Sequence, residues 1–226
     1  MESCSLITLF LLCIAFYSLA ECKSVGDMPN IFIDKVIENN LKTKSNFEDL
    51  KQLPLHDKLI TVEVKIRLKN GKIMGLFDVE RNGNCQDRRF RTPSYASHVY
   101  CVVRSCDFVF NQVIVTHDGY VYLEENVLFS FEVEVTYKKV HVYTEIVGTN
   151  SFERPYLTNF TITNIELENV HFYYFPQERS AYKNLITTKL LDYLNTEMNY
   201  LLRYYYWNIL NSALSNKNTP PFVFSN

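Results

Sequence analysis

The sequence predicts an α+β fold in which a long antiparallel β-sheet, curling along its length, is followed by one long C-terminal helix and preceded by a short N-terminal one. Three observations carry this. Over residues 58–175 apolar side chains recur at every second position, the period of a strand with one dry face. That phase slips at several points, Lys138-Lys139 among them, and strands that slip by a β-bulge bend. Beyond Pro176 the spacing lengthens to three and four residues and runs without Gly or Pro over 178–215. As a helix that stretch is about 57 Å long.

The chain opens on an unbroken apolar run at 6–16, followed by Ser18-Leu19-Ala20, a small-x-small pattern that signal peptidase accepts. Residues 1–20 are therefore expected to be a signal peptide cleaved after Ala20, although Glu2 stands where a Lys or Arg is usual. An apolar run of about 11 residues cannot cross a bilayer, which takes roughly 20, so the expectation is a secreted protein with no integral membrane anchor. Residues 21–226 then form a single domain.

Within it, Met28, Ile31, Val36, Ile37 and Leu41 space an amphipathic helix over 28–42, and a linker follows at 45–57. Ile60, Val62, Val64, Ile66 and Leu68 alternate with polar residues as the dry face of a strand, and Asn70-Gly71 reads as its hairpin turn. A strand over 72–80 leads into an irregular loop with Asn82-Gly83 and Arg88, Arg89 and Arg91. Strand sequence over 99–116 is interrupted at Asp118-Gly119, which reads as a second hairpin. Val127, Phe129, Phe131, Val133, Val135 and Tyr137 face one way until the slip at Lys138-Lys139 moves the apolar set to Val140, Val142 and Ile146. A last extended segment slips twice, from Phe160 and Ile162 to Ile165 and Leu167, and then to Val170, Phe172 and Tyr174. On the long helix, Leu185, Ile186, Leu190, Leu191, Leu194, Met198, Leu201, Leu202, Tyr205, Ile209, Leu210 and Leu214 form one dry stripe. Its flanking positions carry too few charges to specify a coiled coil.

Composition narrows the function. Without the signal the chain has 23 basic and 24 acidic residues, a net charge of −1, and the cations are scattered among acids. A nucleic-acid binder needs a basic field, so that class is set aside. An apolar fraction of 47% and an aromatic fraction of 15% furnish a large single core. The five histidines stand singly, with no i, i+4 pair, no GxSxG elbow and no phosphate-cradling glycine loop. The sequence thus offers no catalytic residue, no metal site and no cofactor, and His117-Asp118 is accounted for by its turn.

Cys4 and Cys13 leave with the signal, which keeps Cys22, Cys85, Cys101 and Cys106 in an oxidising compartment. Five residues of straight strand separate Cys101 from Cys106 by roughly 16 Å, against the 7 Å or so that a disulfide tolerates. Cys85 is therefore expected to bond either Cys101 or Cys106. Asn159-Phe160-Thr161 is an intact glycosylation sequon, whereas Pro220 spoils the one at Asn218. Tyr204-Tyr205-Tyr206-Trp207 suggests a membrane-interface anchor, but consecutive helical residues cannot share a face, and Tyr205 is expected to pack inward.

Pro54-Leu55-His56-Asp57-Lys58, continuing through Val64-Lys65-Ile66-Arg67-Leu68-Lys69-Asn70-Gly71 to Gly75-Leu76 and Arg81-Asn82-Gly83, together with the order of elements, resembles the tubular lipid-binding superfamily. The similarity is to its arthropod branch, which contains the house-dust-mite allergens of the seventh group. That resemblance implies a highly curved sheet wrapped around the long helix and an elongated apolar ligand between them. It implies a secreted, non-catalytic carrier of a hydrophobic small molecule or lipid, open to transient contact with a membrane or microbial lipid. The expected ligand wall is Val62, Val64, Ile66, Phe129, Phe131 and Val133 opposite Leu190, Leu194, Leu201 and Tyr205. The rival class is a secreted interaction or defence protein whose core is filled by its own side chains.

Overall fold

A computed structural model of the chain describes residues 28–41, 52–61, 64–91, 100–149 and 154–215. The expected signal peptide, Cys22 and Val62 lie outside the described residues. Helix α1 (Met28–Lys35) runs into a π-helical turn (Val36–Leu41). Strands β1 (Gln52–Pro54), β2 (Lys58–Thr61), β3 (Lys65–Met74), β4 (Val79–Arg81), β5 (Gln86–Arg91), β6 (Tyr100–Leu123), β7 (Asn126–Thr149) and β8 (Tyr156–Tyr173) follow. A 3-10 turn then leads into α2 (Ser180–Leu201), a π-helical turn (Leu202–Tyr206) and α3 (Trp207–Leu214). The strands form one antiparallel sheet in the order β1-β3-β6-β7-β8, with β2 on β3, and β4 and β5 on β6.

The two central strands are 24 residues each, roughly 80 Å if straight, and they do not run straight. On β6 the inward buried positions are Val102, Arg104, Cys106, Phe108 and Phe110, then Val113, Val115, His117 and Val121, with Val109 buried at the opposite parity. The parity changes at Gln112, whose φ of 50° is left-handed. On β7 it changes beside Lys138, from Phe131, Val133, Val135 and Tyr137 to Val140, Val142, Thr144 and Ile146. A one-residue slip in a single strand would turn its apolar set to solvent. Because Asn111 pairs with Lys139 and Val113 with Tyr137, both strands slip at the same level and both halves stay dry on the same side. This is the slip expected at Lys138-Lys139, and the slips expected on the last strand also occur, as register shifts between Thr136 and Tyr137 and between His141 and Val142.

The helical stripe obeys a related constraint. Ile186, Leu190, Leu194, Met198, Leu202, Tyr206, Leu210 and Leu214 are buried at a spacing of four. Four residues overshoot a 3.6-residue turn by about 40°, so a regular helix would carry the stripe around to solvent. The wider π-helical turn at Leu202–Tyr206 takes up about 100° of that drift. It also overturns one expectation: Tyr206 is 1% exposed and faces the core, while Tyr205 is 49% exposed.

Other expectations change in the sheet. Asn70-Gly71 is not a hairpin turn but a bulge inside β3, marked by the register shift between Lys69 and Lys72 and by the positive φ of Asn70. The antiparallel partner of β3 on this side is β2, with Thr61 opposite Lys65. Asp118-Gly119 sits within β6, paired to Lys69 and Leu68 on one side and to Glu132 and Phe131 on the other, and the chain reverses at Glu124-Glu125. The basic segment read as loop is strand β5, and the linker before residue 57 contains β1. Cys85 bonds Cys106, with Cα atoms 4.5 Å apart, and Cys101 is free.

Candidate functional site

The inner face of the sheet and the stripe of α2 and α3 meet in one apolar core. Of the expected ligand wall, Val64, Ile66, Phe131, Val133, Leu190, Leu194 and Leu201 are buried together in it, and Phe129 packs against it half-buried. Tyr205 is not part of this wall; Tyr206 takes its place, edge-on to Phe110 at 4.8 Å and tilted against Phe160 at 5.8 Å.

Edge strand β8 shows how the two layers part. Its inward side chains begin buried, with Leu157 and Phe160 both 3% exposed, and continue half-buried through Ile162, Ile165, Val170 and Phe172. Those four pair in register with Val142, Val140, Val135 and Val133, all buried, so they share the sheet's inner face. At the start of the strand the Leu157 N–H donates to Asn211 Oδ1 at 2.7 Å, which ties α3 to the sheet edge. At its end the helix meets the strand through Lys183 Nζ, 5.3 Å above the Phe172 ring. The seam between β8 and the helix is thus buried beside α3 and half-exposed toward the start of α2.

A knot of aromatic rings occupies the open end. Phe175 lies 5.3 Å from Phe129, 5.7 Å from Phe131 and 5.3 Å from Phe172, and Phe131 lies 5.5 Å from Phe172. Leu128 and Tyr182 pack half-buried against the same core. Phe172 and Phe175 were missing from the expected wall; the signal for them was the third phase of the last strand and the position of Phe175 just before Pro176. The arrangement can exclude water and accept apolar groups. Burial pushes the Tyr137 and Tyr206 hydroxyls upward in pKa, so both stay neutral and inert there.

The shut end is held by polar bonds. Arg104, fully buried, donates from Nε and Nη2 to the two carboxylate oxygens of Asp87 at 2.7 and 2.8 Å, with its guanidinium 5.1 Å over the Phe32 ring. The Cys85 N–H donates to Asn30 Oδ1 at 2.8 Å, so α1, β5 and β6 are joined next to the disulfide. Burial raises the thiol pKa of Cys101, which favours its protonated form. Asn159 is half-buried on the outer side of β8, and Thr161 Oγ1 donates to its Oδ1 at 2.8 Å. Among the described residues no three His, Cys, Asp or Glu converge as metal ligands, and no helix is long and apolar enough to cross a membrane.

In fold the chain is similar to a lipopolysaccharide binding protein, with a TM-score of 0.38 and 14% identity over 84% of this chain and 40% of that one. It is also similar to Takeout 1 of Epiphyas postvittana, with a TM-score of 0.32 and 14% identity over 80% of this chain and 84% of that one. The chain thus spans about two fifths of the lipopolysaccharide binding protein it matches. No family model and no curated protein matches the sequence.

Proposed function

We propose that this chain is a secreted, non-catalytic binding protein for an elongated hydrophobic molecule, a lipid or lipid-like compound taken up between β8 and the long helix. The observation that supports this is the graded exposure of the β8 row, from buried Leu157 to half-buried Phe172, ending in the aromatic knot. Each methylene moved from water into such a cleft gains about 0.8 kcal/mol. An acyl chain of about ten carbons therefore gains roughly 8 kcal/mol before the cost of association. The walls named above present no nucleophile and no acid–base pair, which favours carriage over chemistry.

The rest of the reading is of a piece with this. The domain is 21–226, released by cleavage after Ala20, and a disulfide suits the oxidising route such a leader implies. A glycan on Asn159 projects from the outer side of β8, away from the cleft. The tubular lipid-binding plan, and its arthropod allergen branch, belong to the same proposal, as does transient contact with a membrane or microbial lipid during loading.

The second reading, an interaction protein with a filled core, is favoured by the shut half, where Phe108, Phe110 and Tyr206 are at most 1% exposed. Native mass spectrometry of the protein secreted by eukaryotic cells separates the two. A carrier releases a reproducible lipid on organic extraction and then takes up a fluorescent fatty acid at one equivalent. Protein that releases no lipid and takes up none contradicts the carrier and leaves the filled core.

A further inference from the structure

His117 can take up a proton near neutral pH, and it is buried in the inner core without a bond. It shares the inward parity of β6 with Val115 and Val121 and is 2% exposed, and neither ring nitrogen has a hydrogen-bond partner. The ring faces α2, 5.9 Å from the ring of Tyr193. On its other side is the bulge of β3, where a Cβ on Gly71 would collide with the imidazole. Val133 and then Phe172 are its register partners across β7 and β8. His117 therefore stands at the level of the sheet where the β8 seam is half-exposed, two strands in from that seam.

Around this ring α2 is held to the connection between β1 and β2, on the side of the sheet away from β8. The Tyr193 hydroxyl donates to the His56 carbonyl at 2.9 Å, and His56 Nδ1 meets Glu197 Oε1 at 2.9 Å. The His56 ring lies edge-on to Tyr200 at 6.4 Å, and Lys58 Nζ sits 5.7 Å over the Tyr193 ring. His117 is what Tyr193 packs on from within.

The groups that face the imidazole come from every element around it. They are Asp57 on the β1–β2 connection, the Lys69 carbonyl on β3, Asp118 on β6, and Tyr193 and Glu197 on α2, with Lys58 over Tyr193 and the apolar Val133 on β7. Burial outweighs the pull of the carbonyl and the carboxylates and holds the His117 pKa below its ordinary value. An arrangement in which the ring reaches water binds the proton more tightly than the closed one. As pH falls below about 6.5, proton uptake therefore favours that arrangement, by up to about tenfold per pH unit. His56 works in the opposite direction, because a proton there adds charge to its pair with Glu197. That gain is small, since His56 is 72% exposed and exposed pairs contribute little. A buried charge without a partner costs far more.

We infer that His117 is an acid-sensitive latch on α2: its protonation drives the ring from under Tyr193 and frees the helix from the β1–β2 connection, so that a bound hydrophobic molecule is released in mildly acidic surroundings. The release rests on the proposed carrier role; the opening does not. Hydrogen exchange of the ligand-free secreted chain between about pH 7.5 and about pH 5, corrected for the intrinsic pH dependence of exchange, tests the opening. Protection over residues 190–200 and 53–58 is expected to fall below about pH 6.5, by up to about tenfold per pH unit, while residues 100–111 keep theirs. H117L and H117Q, neither of which titrates, lose this step, and H56Q retains it; melting temperatures at neutral pH matched to the native chain show that the variants fold. A flat profile overturns the latch. So does a step that the His117 variants retain or that H56Q abolishes, or an equal loss over residues 100–111, which is general acid unfolding. A fluorescent fatty acid should then leave the native chain about tenfold faster at about pH 5.5 than at neutral pH, and leave H117Q at one rate. Equal acceleration in both overturns the release, since acid then acts on the fatty acid itself. A chain that binds no fatty acid refutes the carrier role, and the exchange profile still decides the latch.

Discussion

Where α3 lies on β8, an asparagine side chain accepts a strand amide; where α2 begins, the same helix meets the same strand through a lysine stacked on a phenylalanine. The two halves of the sheet, divided at Gln112 and Lys138, differ in this way along the β8 edge. One is closed by a disulfide, by the Arg104–Asp87 pair and by rings buried to 1% exposure or less. The other ends in half-buried aromatics, and among the described residues the contact across the β8 seam there is the cation over Phe172. A helix tied to the β8 edge at one end can part from that edge at the other while Tyr193 Oη, donating to the His56 carbonyl at 2.9 Å, keeps it on the far side of the sheet, which is what uptake of a hydrophobic guest requires.

The comparison breaks most visibly at Arg104. Replacing it with Leu leaves the Asp87 carboxylate, 8% exposed, without its partner, and the expected loss is about 3–5 kcal/mol in urea unfolding. A loss no larger than that of an exposed ion pair would mean that the shut half is not clamped. In the open half Phe172→Ala is expected to cost only about 1–2 kcal/mol, since that ring is half-buried. The same change should weaken fatty acid uptake about tenfold in a fluorescence titration.

Much of this division was legible in the sequence, through period-two alternation and its breaks. The slips at Lys138-Lys139 and along 157–175 appear as changes of phase because one face is dry throughout. Two turn signals misled for a common reason: the glycine makes room rather than reversing the chain. A Cβ on Gly119 would collide with the Phe131 ring, and one on Gly71 with the His117 ring. Tyr205 was favoured over Tyr206 because a π-helical turn leaves no mark in the spacing of a helix whose stripe runs at intervals of four. Strand spacing excluded a Cys101–Cys106 bond, but choosing Cys106 for Cys85 needed the phase of β6, on which Cys106 faces inward with Phe108 and Phe110.

His117 sharpens the comparison by pH. Its folded pKa lies below the unfolded value of 6.5, so the stability it contributes is whole above about pH 6.5 and is lost as pH falls through the folded value. The slope contributed by this one proton is at most about 1.4 kcal/mol per pH unit. In thermal melts across that window His117→Leu should flatten the acid limb, and an unaltered limb would assign it to other groups. The smallest effect belongs to the shut half. The Tyr206 hydroxyl is buried without a hydrogen-bond partner, so Tyr206→Phe is expected to be neutral or to stabilise by up to about 1 kcal/mol in urea unfolding, whereas a marked loss would reveal a bond to that hydroxyl.

Hydrogen exchange of the secreted protein with and without a bound fatty acid tests the division most directly. Ligand should slow exchange in residues 169–175 and in the first turns of α2, and leave the amides of β5 and of residues 100–111 of β6 as they are. Protection centred on the disulfide half, or none along the β8 seam in protein that demonstrably holds its ligand, would contradict the account.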